Sequence, residues 1–76
     1  MIGGPASMWE HIGSKLDLRD YWETAEDISK RTGIGKQSIA LAMVYAVDAR
    51  LVDVLPRYRA IPASYRRREL AREAPN

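Results

Sequence analysis

Apolar residues recur along this chain at two different periods. Between Met8 and Ala46 they return every three or four positions, and from Val52 onward the pattern shifts toward every second position. The first part predicts helices and the second predicts strands. A first helix is expected over about Met8 to Leu16, with Ser7 and Glu10 as its capping box and Met8, Trp9, Ile12 and Leu16 on its apolar side. Gly13 interrupts it, at a cost of about 1 kcal/mol relative to alanine unless something packs closely there. A second helix opens at Thr24, whose hydroxyl can accept from a backbone N–H one turn on, with Asp27 in the place of a capping-box acid, and its apolar edge is Ala25 and Ile28. Lys30 and Arg31 make its last turn basic, and Gly33 supplies a residue free to adopt positive φ. Ile34 plugs the turn. A third helix begins at Lys36 and sets Ile39, Ala42, Met43 and Ala46 on one face.

The segments around these helices read less sharply. Residues 17–23 link the first two helices. Leu18, Tyr21 and Trp22 are expected in the core, since large aromatics carry much of the burial in a small domain. Tyr21 and Trp22 are alternatively a short first strand. Val52–Leu55 predicts a strand and Tyr58–Ile61 its partner, with Arg57 and Arg59 at or near the tip of the hairpin. Pro56 argues against a primed two-residue turn directly after Leu55, so the loop is expected to be wider. Tyr65 to Glu73 reads as a short basic helix or a disordered tail. The domain organisation that follows is a flexible lead over residues 1–6, one folded domain over 7–62, and a basic C-terminal segment over 63–76.

The stretch from Thr24 to Val52 resembles a known family. A capped polar helix, Gly33-Ile34, then Ile39, Met43 and Ala46, then Leu51-Val52 is similar to the helix-turn-helix core of winged-helix DNA-binding domains of small transcription regulators. That resemblance implies three helices with a short antiparallel sheet, mainly α with a β-hairpin wing. One position departs from it. Arg50 stands where the family often has a glycine to end the helix.

Composition narrows the functional classes. A chain of 76 residues is one small domain, and 46% hydrophobic content is enough for a core and argues against disorder. The absence of cysteine excludes disulfides and thiolate metal sites. His11 is a lone histidine, so no metal role is expected. No apolar run is long enough to cross a membrane and no leader pattern is visible, so a cytoplasmic protein is expected. The net charge of +2 is unevenly spread. Residues 1–34 hold four basic and six acidic groups, net −2, and residues 35–76 hold eight basic and four acidic, net +4. Positive potential therefore gathers on the third helix and beyond, which suits an anionic partner.

The chemistry expected is binding. Gly33-Ile34-Gly35-Lys36 looks like the end of a phosphate loop, but it follows a helix and lacks the earlier glycine. No enzyme, cofactor or small-molecule substrate is expected. In the helix-turn-helix reading the third helix enters the major groove of duplex DNA by its N-terminal turns. Gln37 suits adenine, Lys36 suits guanine or a phosphate, Ser38 suits either, and Ala40 or Leu41 suits a thymine methyl. Arg57 and Arg59 on the wing, with Arg66, Arg67 and Arg68 behind it, would neutralise phosphates. The function implied is a small transcriptional regulator or an accessory DNA-binding factor of a phage or plasmid. The alternative is a protein-interaction or dimerisation module, because Leu41, Val44 and Tyr45 would expose an apolar patch bordered by charge. A third reading has the C-terminal segment folding over those residues as core.

Overall fold

The computed structural model describes residues 4–68. Helix α1 spans Pro5–Ile12 and tightens into a 3-10 turn over Gly13–Leu16. Strand β1 is Glu23–Thr24, helix α2 is Ala25–Thr32, helix α3 is Lys36–Asp48, and strands β2 and β3 are Val52–Leu55 and Ser64–Arg67. The strands form one antiparallel sheet in the order β1-β3-β2. Three helices with a three-stranded antiparallel sheet make a winged helix-turn-helix arrangement.

The central motif forms as its sequence predicts. The Thr24 hydroxyl accepts from the Asp27 N–H at 3.1 Å, and the Asp27 carboxylate accepts from the Thr24 N–H at 3.1 Å, a complete capping box. Gly33 ends α2 with φ +81° and donates to the Ser29 carbonyl at 2.7 Å. The Thr32 hydroxyl donates to the Ile28 carbonyl and accepts from the Ile34 N–H, which joins the helix end to the turn. Arg50 takes the left-handed conformation, φ +62°, that the family leaves to glycine. The Leu51 N–H reaches the Ala46 carbonyl at 2.8 Å and the Arg50 N–H reaches Val47 at 3.1 Å, the paired bonds of a Schellman ending. The residue type departs from the resemblance, while the backbone does not.

The core is continuous through all of these elements. Ile12, Leu16, Ile28, Ile39, Ala42, Met43, Ala46 and Val52 are buried together, and Met8, Trp9, Leu18, Val47, Leu51 and Tyr65 pack around them. Helix α1 lies mainly along α3, where the Trp9 and Tyr45 rings sit 6.1 Å apart. The indole of Trp9 also explains Gly13. A Cβ added there would lie 2.8 Å from the ring, so glycine is what lets the ring lie flat on the chain.

Several expectations from the sequence are overturned. Ser7 is not a cap. The first helix begins at Pro5, whose fixed φ and missing N–H suit the first helical position, and Gly4 precedes it without any side-chain cap. Residues 5 and 6 therefore belong to the domain, not to a flexible lead. Tyr21 and Trp22 form neither strand nor core. The first strand comes one step later, at Glu23, and Tyr21 and Trp22 are exposed.

The second wing strand is not Tyr58–Ile61 either. Those two residues make only an isolated bridge, and the partner of β2 is β3, with Val54 opposite Tyr65 and Asp53 opposite Arg66. Pairing to β3 serves two sides at once, since β3 also pairs with β1. A long-range sheet thus overrides the local helix propensity of Tyr65-Arg66-Arg67. The domain accordingly extends past residue 62, with β3 as its central strand. The rest of the expected C-terminal helix, residues 69–73, and the tail to 76 lie outside the described residues, as do residues 1–3 of the lead.

Candidate nucleic-acid interface

The turn between α2 and α3 sets up the first part of the site. Gly35 precedes α3 in an extended conformation and offers no side-chain cap, so the first N–H groups of α3 face outward without an internal acceptor from a cap. Lys36 and Gln37 occupy this first turn and are exposed. Among the described residues neither side chain makes a hydrogen bond or an ion pair. Ala40 is also exposed, whereas Ser38 and Leu41 are half-buried. The reason is the helical period: Ile39, Ala42, Met43 and Ala46 point inward, and Gln37 and Ala40 lie opposite them.

The wing supplies the second part. Between β2 and β3 the chain runs out and back through residues 56–63. Tyr58 and Ile61 exchange both backbone hydrogen bonds, at 3.0 and 2.8 Å, and so close a two-residue turn of Arg59 and Ala60. Arg59 has φ +55°, the positive φ that primed hairpin turns demand of a central residue. This tight turn is nested inside the wider loop that Pro56 predicts. Arg57 and Arg59 are exposed, with no carboxylate within 4.0 Å among the described residues. The Arg59 guanidinium lies 5.1 Å from the Tyr58 ring centroid.

The three arginines of the C-terminal segment stand differently. Arg66 donates from Nε to Asp53 Oδ2 at 3.0 Å, and its guanidinium stacks 4.5 Å from the Trp22 ring centroid. Arg68 reaches the other oxygen of Asp53 at 3.6 Å. Arg67 donates from its backbone to the Arg19 carbonyl at 2.7 Å and from Nη1 to the Leu18 carbonyl at 3.5 Å. These groups fasten β3 to its neighbours. The positive field of the wing therefore rests chiefly on Arg57 and Arg59, because Asp53 offsets Arg66 and Arg68. Trp22 gives no sign of this role in the sequence, since its partner arrives from a distant strand. Arg50 is a further exposed cation, placed by the Schellman ending rather than by any charge pattern.

The apolar face expected on α3 is divided. Val44 is 57% exposed, Tyr45 is half-buried against Trp9, and Leu41 is half-buried. The three do not form one open patch. Val44 and Tyr45 instead border a groove of about 640 Å³ between α3, the start of α1 and the sheet, completed by Pro5, Ala6, Met43, Val47, Asp48, Val54 and Tyr65. Leu41 is not part of it. Burial pushes the Tyr65 phenol above its ordinary 10.0. Among the described residues no helix is long and apolar enough to cross a membrane.

Comparison with known proteins returns no matching family model, no matching curated protein and no matching solved structure.

Proposed function

We propose that this chain binds duplex DNA as a winged helix-turn-helix protein, in the role of a small regulator or an accessory DNA-binding factor of a phage or plasmid working in the cytoplasm. The observation that carries this reading is the pairing of exposed Lys36 and Gln37 in the first turn of α3 with exposed Arg57 and Arg59 on the wing. Each of these groups points away from the core and gives no side-chain hydrogen bond to the fold. Gln37 and Lys36 have the donors and acceptors to read base edges. Arg57 and Arg59 would hold the register by binding phosphates. Arg66 and Arg68 contribute less, because each shares Asp53.

The test is a titration of random and selected duplexes at several salt concentrations. Affinity should fall with salt at a slope of about −0.9 per phosphate neutralised. Replacing Arg57 and Arg59 with alanine should weaken binding to all duplexes alike and flatten the slope by about 1 for each phosphate left without its arginine. Gln37→Ala should cost about 1–3 kcal/mol on the selected site and little on random DNA. No binding to any duplex at low salt rejects the reading.

The groove at Val44 supports a second reading, a protein-docking winged helix or a dimer of this chain. An apolar hollow rimmed by Asp48 suits a partner's apolar side chain better than a phosphate. Val44→Glu separates the two. It should break a protein complex, because a carboxylate would have to be buried unpaired, and leave the mass of a lone DNA-binding monomer unchanged.

A further inference from the structure

Helix α3 ends on the wrong charge. The C-terminal end of a helix is its negative pole and favours a cation. Asp48 is the last residue of α3, and no Lys, Arg or His stands in its last turn. Among the described residues no cation comes within 4.0 Å of its carboxylate. Breaks of a local rule that the fold itself does not compensate concentrate at functional sites. Asp48 also stands on the rim of the groove of about 640 Å³. Met43, Val47 and Val54 give that groove an apolar lining, and among the described residues no basic side chain lines it. Pro5, which opens α1 there, brings a ring and no N–H. Tyr45 and Tyr65 add two aromatic rings, and the face of such a ring attracts a cation. Neither phenol hydroxyl has a hydrogen-bond partner among the described residues.

We infer that the groove is a binding site for a small organic cation, an ammonium head on an apolar body, with the head at Asp48 and the body over Met43, Val47 and Val54. Charge selects the head. The Asp48 carboxylate, the negative pole of α3 and the two ring faces all favour a positive group, and an anion meets no cation in the lining. Size selects a small molecule over a macromolecule. Ligand pockets commonly enclose about 300–1,000 Å³, and this one falls within that range. A stable protein interface buries about 1,200–2,000 Å² in all. Here the exposed apolar surface stops at the hollow, because Val44 is the one large apolar residue of the lining that is exposed, and Leu41 lies outside it, half-buried. The site does not depend on the DNA-binding reading above.

The experiment compares three ligands of one body and different charge: hexyltrimethylammonium, hexanol and hexyl sulfate. Each is titrated into the full chain while the methyl NMR signals of Met43, Val47 and Val54 are followed. The ammonium should shift these signals at the lowest concentration, hexanol at a higher one, and hexyl sulfate least. It should also raise the thermal midpoint, since it binds the folded chain alone. Asp48→Asn should weaken the ammonium about fivefold, the upper range for a solvent-exposed charge pair, and leave hexanol unchanged. Asp48→Lys should abolish ammonium binding while raising the midpoint of the free protein, because it puts a cation at the negative pole of α3. That rise shows that lost binding is not lost folding. Equal binding of all three ligands would reduce the groove to a greasy hollow and overturn the proposal. So would an Asp48→Asn variant that binds the ammonium like the parent, or groove methyls that the ammonium leaves unmoved. Light scattering covers the remaining occupant. A dimer whose dilution shifts the same methyls, with no effect of the ammonium, would give the groove to a second copy and overturn the cation site.

Discussion

The guanidinium of Arg31 forks onto the carboxylate of Glu23, Nε to Oε2 at 2.9 Å and Nη2 to Oε1 at 2.7 Å. Glu23 is only 7% exposed. The remaining nitrogen of Arg31 donates to the carbonyls of Leu16 and Asp17, at 3.1 and 3.0 Å. One side chain thus ties the last turn of α2 to β1 and to the end of the 3-10 turn. The hydrogen bond to Glu23 raises the Arg31 pKa, so the cation persists at any ordinary pH. The sheet register explains why the acid is inside. Glu23 pairs with Tyr65, and Tyr65 pairs with Val54, so all three lie on the face turned toward the helices.

Arg31→Ala should therefore destabilise the fold strongly, by about 3–5 kcal/mol, because it leaves a buried carboxylate without its counter-charge. Glu23→Gln should cost less, since a neutral amide still accepts from Arg31. Urea denaturation of the two variants measures both. A loss of only about 1 kcal/mol for Arg31→Ala, the scale of a surface pair, would show that solvent rather than Arg31 satisfies Glu23.

Arg50→Gly should raise the thermal midpoint. A left-handed backbone costs a side-chain-bearing residue about 1–2 kcal/mol, and the looser unfolded chain of a glycine variant offsets part of that relief. The net gain expected is up to about 1 kcal/mol. Arg50→Val, with a branched side chain at the same φ, should lower the midpoint instead. A fall with both substitutions would mean that the Arg50 side chain itself holds the end of α3.

Tyr65 gives the fold a dependence on alkaline pH. Its folded pKa lies above 10.0 because burial disfavours the phenolate. Between the unfolded and folded values the unfolded chain binds fewer protons, so stability falls as pH rises. The contribution is whole below pH 10 and is lost as pH climbs through the folded value. Tyr65→Phe should reduce the decline in thermal midpoint above pH 10 relative to the parent. Parallel curves for the two proteins across that range would remove Tyr65 as the source.

The helix-turn-helix was legible in the sequence because its determinants are local. Thr24 and Asp27 are three residues apart, Gly33 follows its helix directly, and the inward face of α3 repeats within one helix. Short-range hydrogen bonds and helical periodicity need no knowledge of the rest of the chain. The same locality placed Lys36 and Gln37 at the start of α3 and Arg57 and Arg59 on the wing. What the tertiary structure decided are the pairings between distant segments. Ser64–Arg67 became a strand because two partners, β1 and β2, offer it backbone bonds on both sides that no local helix signal reveals. Glu23 turned inward because its register with Tyr65 set its face, and only then could Arg31 find it. Tyr21 and Trp22 were left outside because β1 starts after them. The arginines of β3 became structural because Asp53, Trp22 and the backbone of residues 18 and 19 met them there. Composition cannot show how a charge will be used when the partner that offsets it lies on another strand.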